Sequence, residues 1–508
     1  MGVIAGRASR VLVMYAGRIV ESADAETLFQ DMRHPYTEAL FESIPSAESE
    51  RGGPLYSIPG LPPDLVNPPP GCRFSPRCRY AQDRCTADDP PLAGPDPAHP
   101  YACFFPVGGP EPATAAGASA AGTADAAGTA DAAAGQQAVP VPVVRERAAA
   151  ESPAGSEPLL VVDHVVKEFP ITRGILQRRV GSVKAVSDVS LEIGRGETFG
   201  LVGESGCGKT TLGRLMTALE SPDSGSIRFA GTEISALRGD ALRRERREFQ
   251  LMFQDPYASL DPRMRVTSIL REPLAAHHIG SRTEQQARSR TLLTEVGLPA
   301  RSLGLYPHEF SGGQRQRIGL ARALTLEPRL IVADEPVSAL DVSIRSQVLN
   351  LMRRLQGEHD LTYVVISHDL SVVRYLADRV GVMYLGKLVE VGPAETVYDQ
   401  PAHPYTAGLL AAIPVPDPVR ERAKRPAVAG ELPSAAEPPS GCRFRTRCPR
   451  SQDICAREEP AMRAFGVPGH TAACHFPLVD PLPVPTVDTG GGARAQAAAD
   501  RLGPAAKP

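Results

Sequence analysis

ETFGLVGESGCGKTTLGRLMTAL, residues Glu197–Leu219, settles the fold class. Its first part, Glu197–Gly203, is a short apolar run rich in β-formers and predicts a buried strand. The run passes straight into GESGCGKTT, Gly203–Thr211, and then into a segment with helical spacing. This is the pattern G-x-x-x-x-G-K-[ST] in a strand–loop–helix context, which makes a phosphate cradle. Glycines let such a loop wrap an anion, so that successive N–H groups and a helix N-terminus face the negative charge. Gly203, Glu204, Ser205, Gly206, Cys207, Gly208, Lys209, Thr210 and Thr211 are therefore candidate phosphate contacts. Lys209 is placed to reach β- and γ-phosphates and Thr210 to ligate Mg²⁺. Cys207 reads as a small spacer in the loop rather than a redox group.

A second acidic motif fits the first. Leu330–Ala333 (LIVA) predicts another buried strand, ending in Asp334–Glu335. A carboxylate at such a strand tip can hold Mg²⁺ through water, and its neighbour can orient or deprotonate an attacking water. Two adjacent acids elsewhere are often a solvated turn; behind a phosphate cradle they are candidate chemistry.

Further motifs carry a family resemblance. FSGGQRQR at Phe310–Arg317 resembles the signature of the ABC ATPases, and Gln254 in MFQDPYASLDPR resembles their Q-loop. VSALD at Val337–Asp341 is similar to their D-loop, and His368 in ISHD to their switch histidine. Phe169 in KEFPI stands where the family stacks an aromatic on adenine, although tyrosine is commoner there. The motifs keep the family's order across Leu159–Gln400. The resemblance implies an α/β fold: a P-loop NTPase with a RecA-like core, a helical subdomain over Pro256–Pro328, and small Cys-rich C-terminal tails. It implies ATP and Mg²⁺ as ligands, the ion held by Thr210, Gln254 and Asp334. Glu335 would polarise the water, His368 would stabilise charge on the γ-phosphate, and Gln254 would sense Mg²⁺ and the permease. Family members pair head to tail, so Ser311, Gly312, Gly313 and Gln314 would contact an ATP bound on a second nucleotide domain. The physics agrees, since Ser-Gly-Gly opening a helix at Gln314 presents N–H groups and a positive dipole end.

An internal repeat surrounds this segment. Arg10–Pro45 aligns without a gap to Arg379–Pro414, with half of the positions identical and HPYT in both. GCRFSPRC at Gly71–Cys78 matches GCRFRTRC at Gly441–Cys448. Residues 1–106 therefore read as the C-terminal remnant of a first ATPase, 158–400 as a complete nucleotide domain and 401–480 as its own C-terminal region. The Ala/Gly/Pro-rich stretches 107–157 and 481–508 read as a linker and a tail too poor in apolar residues to build a core. Met1 aligns with Leu370, immediately after ISHD, which predicts a reading frame beginning upstream by about 210 residues.

HPYT followed by a Cys-rich module resembles the dipeptide/oligopeptide importer ATPases, a group that also contains nickel importers. The implied partners are two transmembrane permease subunits, an extracytoplasmic substrate-binding protein and a second nucleotide domain. A soluble, non-transport ABC ATPase is the rival class, but the long heptad helices and zinc hooks of its repair members do not occur in this sequence. The formal net charge of −3 gives no global basic field, so nucleic acid is not an expected partner. No stretch approaches the ~20 apolar residues of a membrane span, and the start lacks a signal-peptide core, Val11–Tyr15 reading instead as a buried strand. A peripheral position at the cytoplasmic side of the cell membrane, reached through partners, is expected.

Eight of the nine cysteines form two quartets, Cys72, Cys78, Cys85, Cys103 and Cys442, Cys448, Cys455, Cys474. Disulfides are not expected in the cytosol, which leaves a [4Fe-4S] cluster, zinc or simple burial. The spacing lacks tight zinc knuckles and resembles the cluster quartet of some peptide-importer ATPases. His34 and His403 of HPYT read as parts of a turn and helix start, with Pro in the first turn and Thr as cap.

Overall fold

A computed structural model describes residues 1–44, 53–60, 63–109, 157–174, 178–255, 259–423, 428 and 430–479. The linker expected over 107–157, apart from its ends, and the tail 481–508 lie outside the described residues.

The first module begins with α1 (Gly2–Arg7) and a hairpin of β1 (Arg10–Tyr15) and β2 (Arg18–Asp24). Helices α2 (Ala25–Gln30), α3 (Pro35–Glu42) and α4 (Asp83–Ala87) complete it. Next come the long strands β3 (Leu160–Arg173) and β4 (Arg178–Ile193), then β5 (Thr198–Val202) and α5 (Lys209–Met216). They are followed by β6 (Ser224–Phe229), β7 (Thr232–Glu233), α6 (Gly239–Glu245) and β8 (Phe249–Met252). A helical insert holds α7 (Val266–Ala276), α8 (Arg282–Glu295) and α9 (Gly312–Ala323). The chain returns through β9 (Leu330–Asp334), α10 (Val342–His359), β10 (Thr362–Ser367), α11 (Leu370–Leu376), β11 (Arg379–Tyr384) and β12 (Lys387–Pro393). The last elements are α12 (Ala394–Asp399), α13 (Pro404–Ala411), α14 (Pro418–Ala423), α15 (Asp453–Arg457), β13 (Met462–Ala464) and β14 (Thr471–Ala473).

The main sheet runs β13-β14-β12-β11-β5-β10-β9-β8, and β11, β5, β10, β9 and β8 are parallel. Every residue of β5, β9 and β10 is buried, as expected of parallel strands covered on both faces. A second, antiparallel sheet runs β4-β3-β6-β7. The far end of the β3–β4 hairpin is exposed, Ile171 by 37% and Val180 by 60%. Beyond Gln400 the chain does not break away, because β14 pairs antiparallel with β12 and continues the main sheet.

The repeat in the sequence is a repeat in structure. β1–β2 and β11–β12 share their register, Arg10 opposite Asp24 and Arg379 opposite Pro393, with a bulge after Val13 and after Val382. Their settings differ. β11 lies buried against β5, whereas β1 pairs with β2 alone among the described strands. Val11–Tyr15, expected as a buried strand, therefore alternates, leaving Leu12 56% and Met14 61% exposed. The first module docks on α10: the Asn350 side chain bonds both the N–H and the C=O of Leu55, at 3.0 and 2.8 Å. Leu55 itself is buried in the core formed by the helical insert and α10.

Each copy is organised around a buried glutamate. Glu21 accepts from the N–H groups of Arg33 and His34 at 2.6 and 3.0 Å and faces His99 Nε2 at 2.8 Å. Glu390 accepts from Ala402 and His403 at 2.7 and 2.9 Å and faces His470 Nε2 at 2.7 Å. Both carboxylates are 0% exposed. The helix caps are His34 and His403, whose Nδ1 atoms accept from Tyr36 and Tyr405 N–H at 3.0 Å, and not the threonines. Pro35 and Pro404 sit at the helix start, and Thr37 and Thr406 are buried.

An imidazole that accepts a hydrogen bond inside the core must be neutral. Burial, opposed only weakly by a hydrogen bond to Ala102 or by the Glu390 charge, lowers His34 and His403 from 6.5 to about 4. A folded pKa below the unfolded one adds stability that is complete above pH 6.5 and is lost as pH falls toward 4, about 1.4 kcal/mol per pH unit for each histidine. Thermal melts between about pH 7 and pH 5 should show this loss. The variant His403→Asn, which keeps a cap acceptor without a titrating ring, should have the shallower slope. Equal slopes in both proteins would contradict it.

Candidate active site

In an open parallel sheet, ligands bind beyond the carboxyl ends of the strands. Four of the strands that place candidate residues, β5, β9, β10 and β8, are adjacent and parallel. The phosphate loop leaves β5, Asp334 ends β9, His368 follows β10 and Gln254 follows β8. One crevice therefore receives all four groups.

The loop is fixed by close packing. Gly203 has φ +152° and Gly208 φ +105°. A Cβ on Gly208 would lie 2.0 Å from the Ala185 carbonyl oxygen, and one on Gly203 2.2 Å from that of Met383. Around Gly206 nothing lies within 4 Å of such a Cβ, so the loop is open on that side. Lys209 Nζ donates to the carbonyls of Gly203 and Glu204 at 2.8 and 3.0 Å and sits 3.8 Å from Cys207 Sγ. Cys207 is 1% exposed, and burial raises its thiol pKa. Thr210 and Thr211 lie in the first turn of α5.

Asp334 is buried, and its Oδ1 has no hydrogen-bond partner. Burial raises its pKa and the nearby Glu335 charge adds to this, while a hydrogen bond from Thr210 works the other way. A buried carboxylate oxygen left unpaired next to a threonine hydroxyl is chemically suited to an oxygen-liganded cation such as Mg²⁺.

Glu335 adopts φ +49°, uncommon for a residue with a side chain, and its N–H donates to Ile366 at 2.8 Å. That turn aims the carboxylate between two partners: Oε1 lies 2.7 Å from His368 Nδ1, and Oε2 accepts from Gln254 Nε2 at 3.3 Å. Gln254, Glu335 and His368 thus form one cluster.

Ser311–Gln314 lie on the helical insert. Helix α9 begins at Gly312, two residues before the start read from the sequence, because Ser311 is its cap. The Ser311 hydroxyl accepts from Gln314 N–H at 3.4 Å and Gln314 Oε1 accepts from Ser311 N–H at 2.9 Å, a reciprocal capping box. Gly313 packs so closely on α10 that a Cβ would lie 2.2 Å from Ile344 Cγ2. Phe169 stands on β3, 37% exposed, with Lys167 Nζ 5.5 Å from its ring centre.

The iron–sulfur expectation is not supported. Among the described residues, no group of three or more His, Cys, Asp or Glu is arranged to hold a metal ion. Cys72, Cys78, Cys85 and Cys103 line an apolar pocket beside Phe74 and Phe104. Burial pushes Cys78 up to about 11, Cys103 to about 12, and Cys442 and Cys474 to about 11. Backbone bonds from Cys72 to Cys85 and from Cys442 to Cys455, both 2.8 Å, shape the two modules alike.

Two features went unread in the sequence: the buried Glu–His pairs, and the grip of the C-terminal region on the phosphate loop through Tyr405 and Arg447. The first had a signal, since a histidine precedes the last cysteine of each quartet by four residues and both copies keep Val-Glu at Glu21 and Glu390. The second had none, because Glu204 and Arg447 lie 243 residues apart.

The ABC transporter family matches residues 186–338. The family described as oligopeptide/dipeptide transporter, C-terminal region, matches twice, at 20–85 and 389–455. Oligopeptide transport ATP-binding protein AppF of Bacillus subtilis is 53% identical over 328 residues, 64% of this chain and 98% of that one. Oligopeptide transport ATP-binding protein OppD of Mycobacterium tuberculosis is 43% identical over 422 residues, which cover 83% of this chain and 65% of that one. A solved dimeric ATP-binding cassette with ADP and Pi is 28% identical, with a TM-score of 0.42, over 46% of this chain and 98% of its own. The chain belongs to the ABC transporter ATP-binding proteins, in the group that bears the oligopeptide/dipeptide transporter C-terminal region.

Proposed function

We propose that this ATPase drives import of dipeptides or oligopeptides from the cytoplasmic face of the cell membrane. The observation that carries the reading is the cluster of Glu335 with His368 and Gln254 at the strand ends beside the phosphate loop. In it, Lys209 and the loop N–H groups hold the β- and γ-phosphates, and Phe169 stacks on the base. Thr210, Asp334 and Gln254 would hold Mg²⁺, which would neutralise charge on the phosphates. Glu335 orients and deprotonates the attacking water, and His368 steadies the γ-phosphate as charge develops. Ser311, Gly312, Gly313 and Gln314 face the ATP of a second nucleotide domain, so hydrolysis depends on pairing. Two permease subunits and an extracytoplasmic binding protein complete the importer, and they, rather than this chain, choose the cargo. Peptide cargo is favoured over nickel by the two matches to the oligopeptide/dipeptide region and by relatives named for oligopeptide transport. Among the described residues no helix is long and apolar enough to cross a membrane, so contact with the bilayer comes through partners.

The test is uptake of a labelled dipeptide, a labelled pentapeptide and nickel by cells carrying either this chain or its Lys209→Ala variant. Peptide uptake should fall to background in the variant while nickel uptake stays unchanged. Unimpaired peptide uptake, or a loss confined to nickel, would refute peptide import.

A further inference from the structure

The phosphate loop is held from outside the nucleotide domain. Glu204, its second residue, receives a two-pronged bond from the Arg447 guanidinium: NH1 to Oε2 at 2.7 Å and NH2 to Oε1 at 2.9 Å. The Arg447 side chain is 7% exposed and that of Glu204 26%, so the pair is largely withdrawn from water. Charge-assisted, bidentate contacts of this kind are strong and fix orientation as well as distance. The backbone is held too, because Glu204 N–H donates to the Tyr405 hydroxyl at 2.9 Å. Tyr405 is fully buried, its ring centre 4.6 Å from that of Tyr384 and 5.3 Å from that of Phe444. The Gly203 and Glu204 carbonyls accept from Lys209 Nζ at 2.8 and 3.0 Å, so the residue that Tyr405 and Arg447 secure also sets where the loop lysine rests.

The first module carries the same residues. Arg77 and Tyr36 occupy the positions of Arg447 and Tyr405, and Tyr15, Tyr36 and Phe74 repeat the aromatic cluster. There Arg77 keeps the equivalent tyrosine contact, NH1 to Tyr15 OH at 3.3 Å, but turns its remaining donors to the carbonyls of Pro59 and Ile58 at 2.8 and 3.4 Å.

We propose that Arg447 and Tyr405 are positioning residues for ATP, through which the Cys-rich C-terminal module sets the shape of the phosphate loop and hence nucleotide affinity. The inference rests on the reading of this loop as the ATP site. A module displaced by a bound partner or a modified thiol would loosen Glu204 and lower affinity without touching the hydrolytic cluster.

The experiment uses the full chain and measures equilibrium binding of radiolabelled ATP together with KM and kcat for its hydrolysis. Arg447→Met, Glu204→Gln and Tyr405→Phe should each weaken ATP binding and raise KM about ten-fold, with kcat of Arg447→Met and Tyr405→Phe changed less than about two-fold. Combining Arg447→Met with Glu204→Gln should do no more than either alone, since both break one contact. KM within about two-fold of the parent in all three variants, or additive effects in the double variant, would overturn the proposal. If Arg447→Met fails to fold, Tyr405→Phe, which removes one hydroxyl, and Glu204→Gln decide the matter alone. Lys209→Ala separates the two readings: if it binds ATP like the parent, the ATP-site assignment itself fails, whatever the other variants do.

Discussion

Replacing Glu335 by glutamine should lower steady-state ATP turnover by roughly 10²–10⁴-fold while ATP still binds. The size follows from what is removed. Glutamine keeps the shape and can still bond Gln254 and His368, now 3.3 and 2.7 Å from the carboxylate, but it cannot take a proton from water. The cradle around Lys209 is untouched, so affinity should hold within a few-fold. Phosphate release followed over time, beside ATP binding measured on the same preparation, checks both halves. Turnover within about ten-fold of the parent would remove Glu335 from the role of base.

The second large effect concerns the fold. Glu390→Leu should destabilise the chain by about 3–5 kcal/mol, because two backbone N–H groups and His470 lose their shared acceptor inside the core. For a domain of this size that corresponds to a melting midpoint lower by roughly 10 °C. Calorimetry of the two proteins at one pH measures it. A midpoint within about two degrees of the parent would mean that the network carries little of the stability.

Much of the fold was legible because its signals are local. β5 and β9 are continuous apolar runs, and the loop between β5 and α5 announces itself by its glycines and Lys209. Among the described residues, the three α-helices of the helical insert fall within the range 256–328. The repeat was legible as identity, and structure keeps even its bulges. Legibility failed where side chains distant in sequence meet. Nothing local marks Arg447 as the partner of Glu204, or shows that β14 pairs with β12. Val11–Tyr15 alternates because an apolar strand is buried only if neighbours cover it, and among the described strands β1 has β2 alone beside it, whereas β11 also has β5. In HPYT the capping role went to the histidine, since an imidazole Nδ1 can serve as acceptor where the ring is buried and neutral. The cysteine spacing marks two quartets but not their chemistry, which depends on how the sulfurs are arranged in space, and among the described residues no group of three or more is arranged to hold a metal ion.

The central claim is that ATP held by the Lys209 loop is cleaved by water activated at Glu335, and the most direct measurement is the identity of the bound nucleotide. Full chain and Glu335→Gln are each incubated with Mg²⁺ and ATP, freed of unbound nucleotide and analysed for what remains. The account predicts ADP in the parent and intact ATP in the variant. ADP recovered equally from both would contradict it.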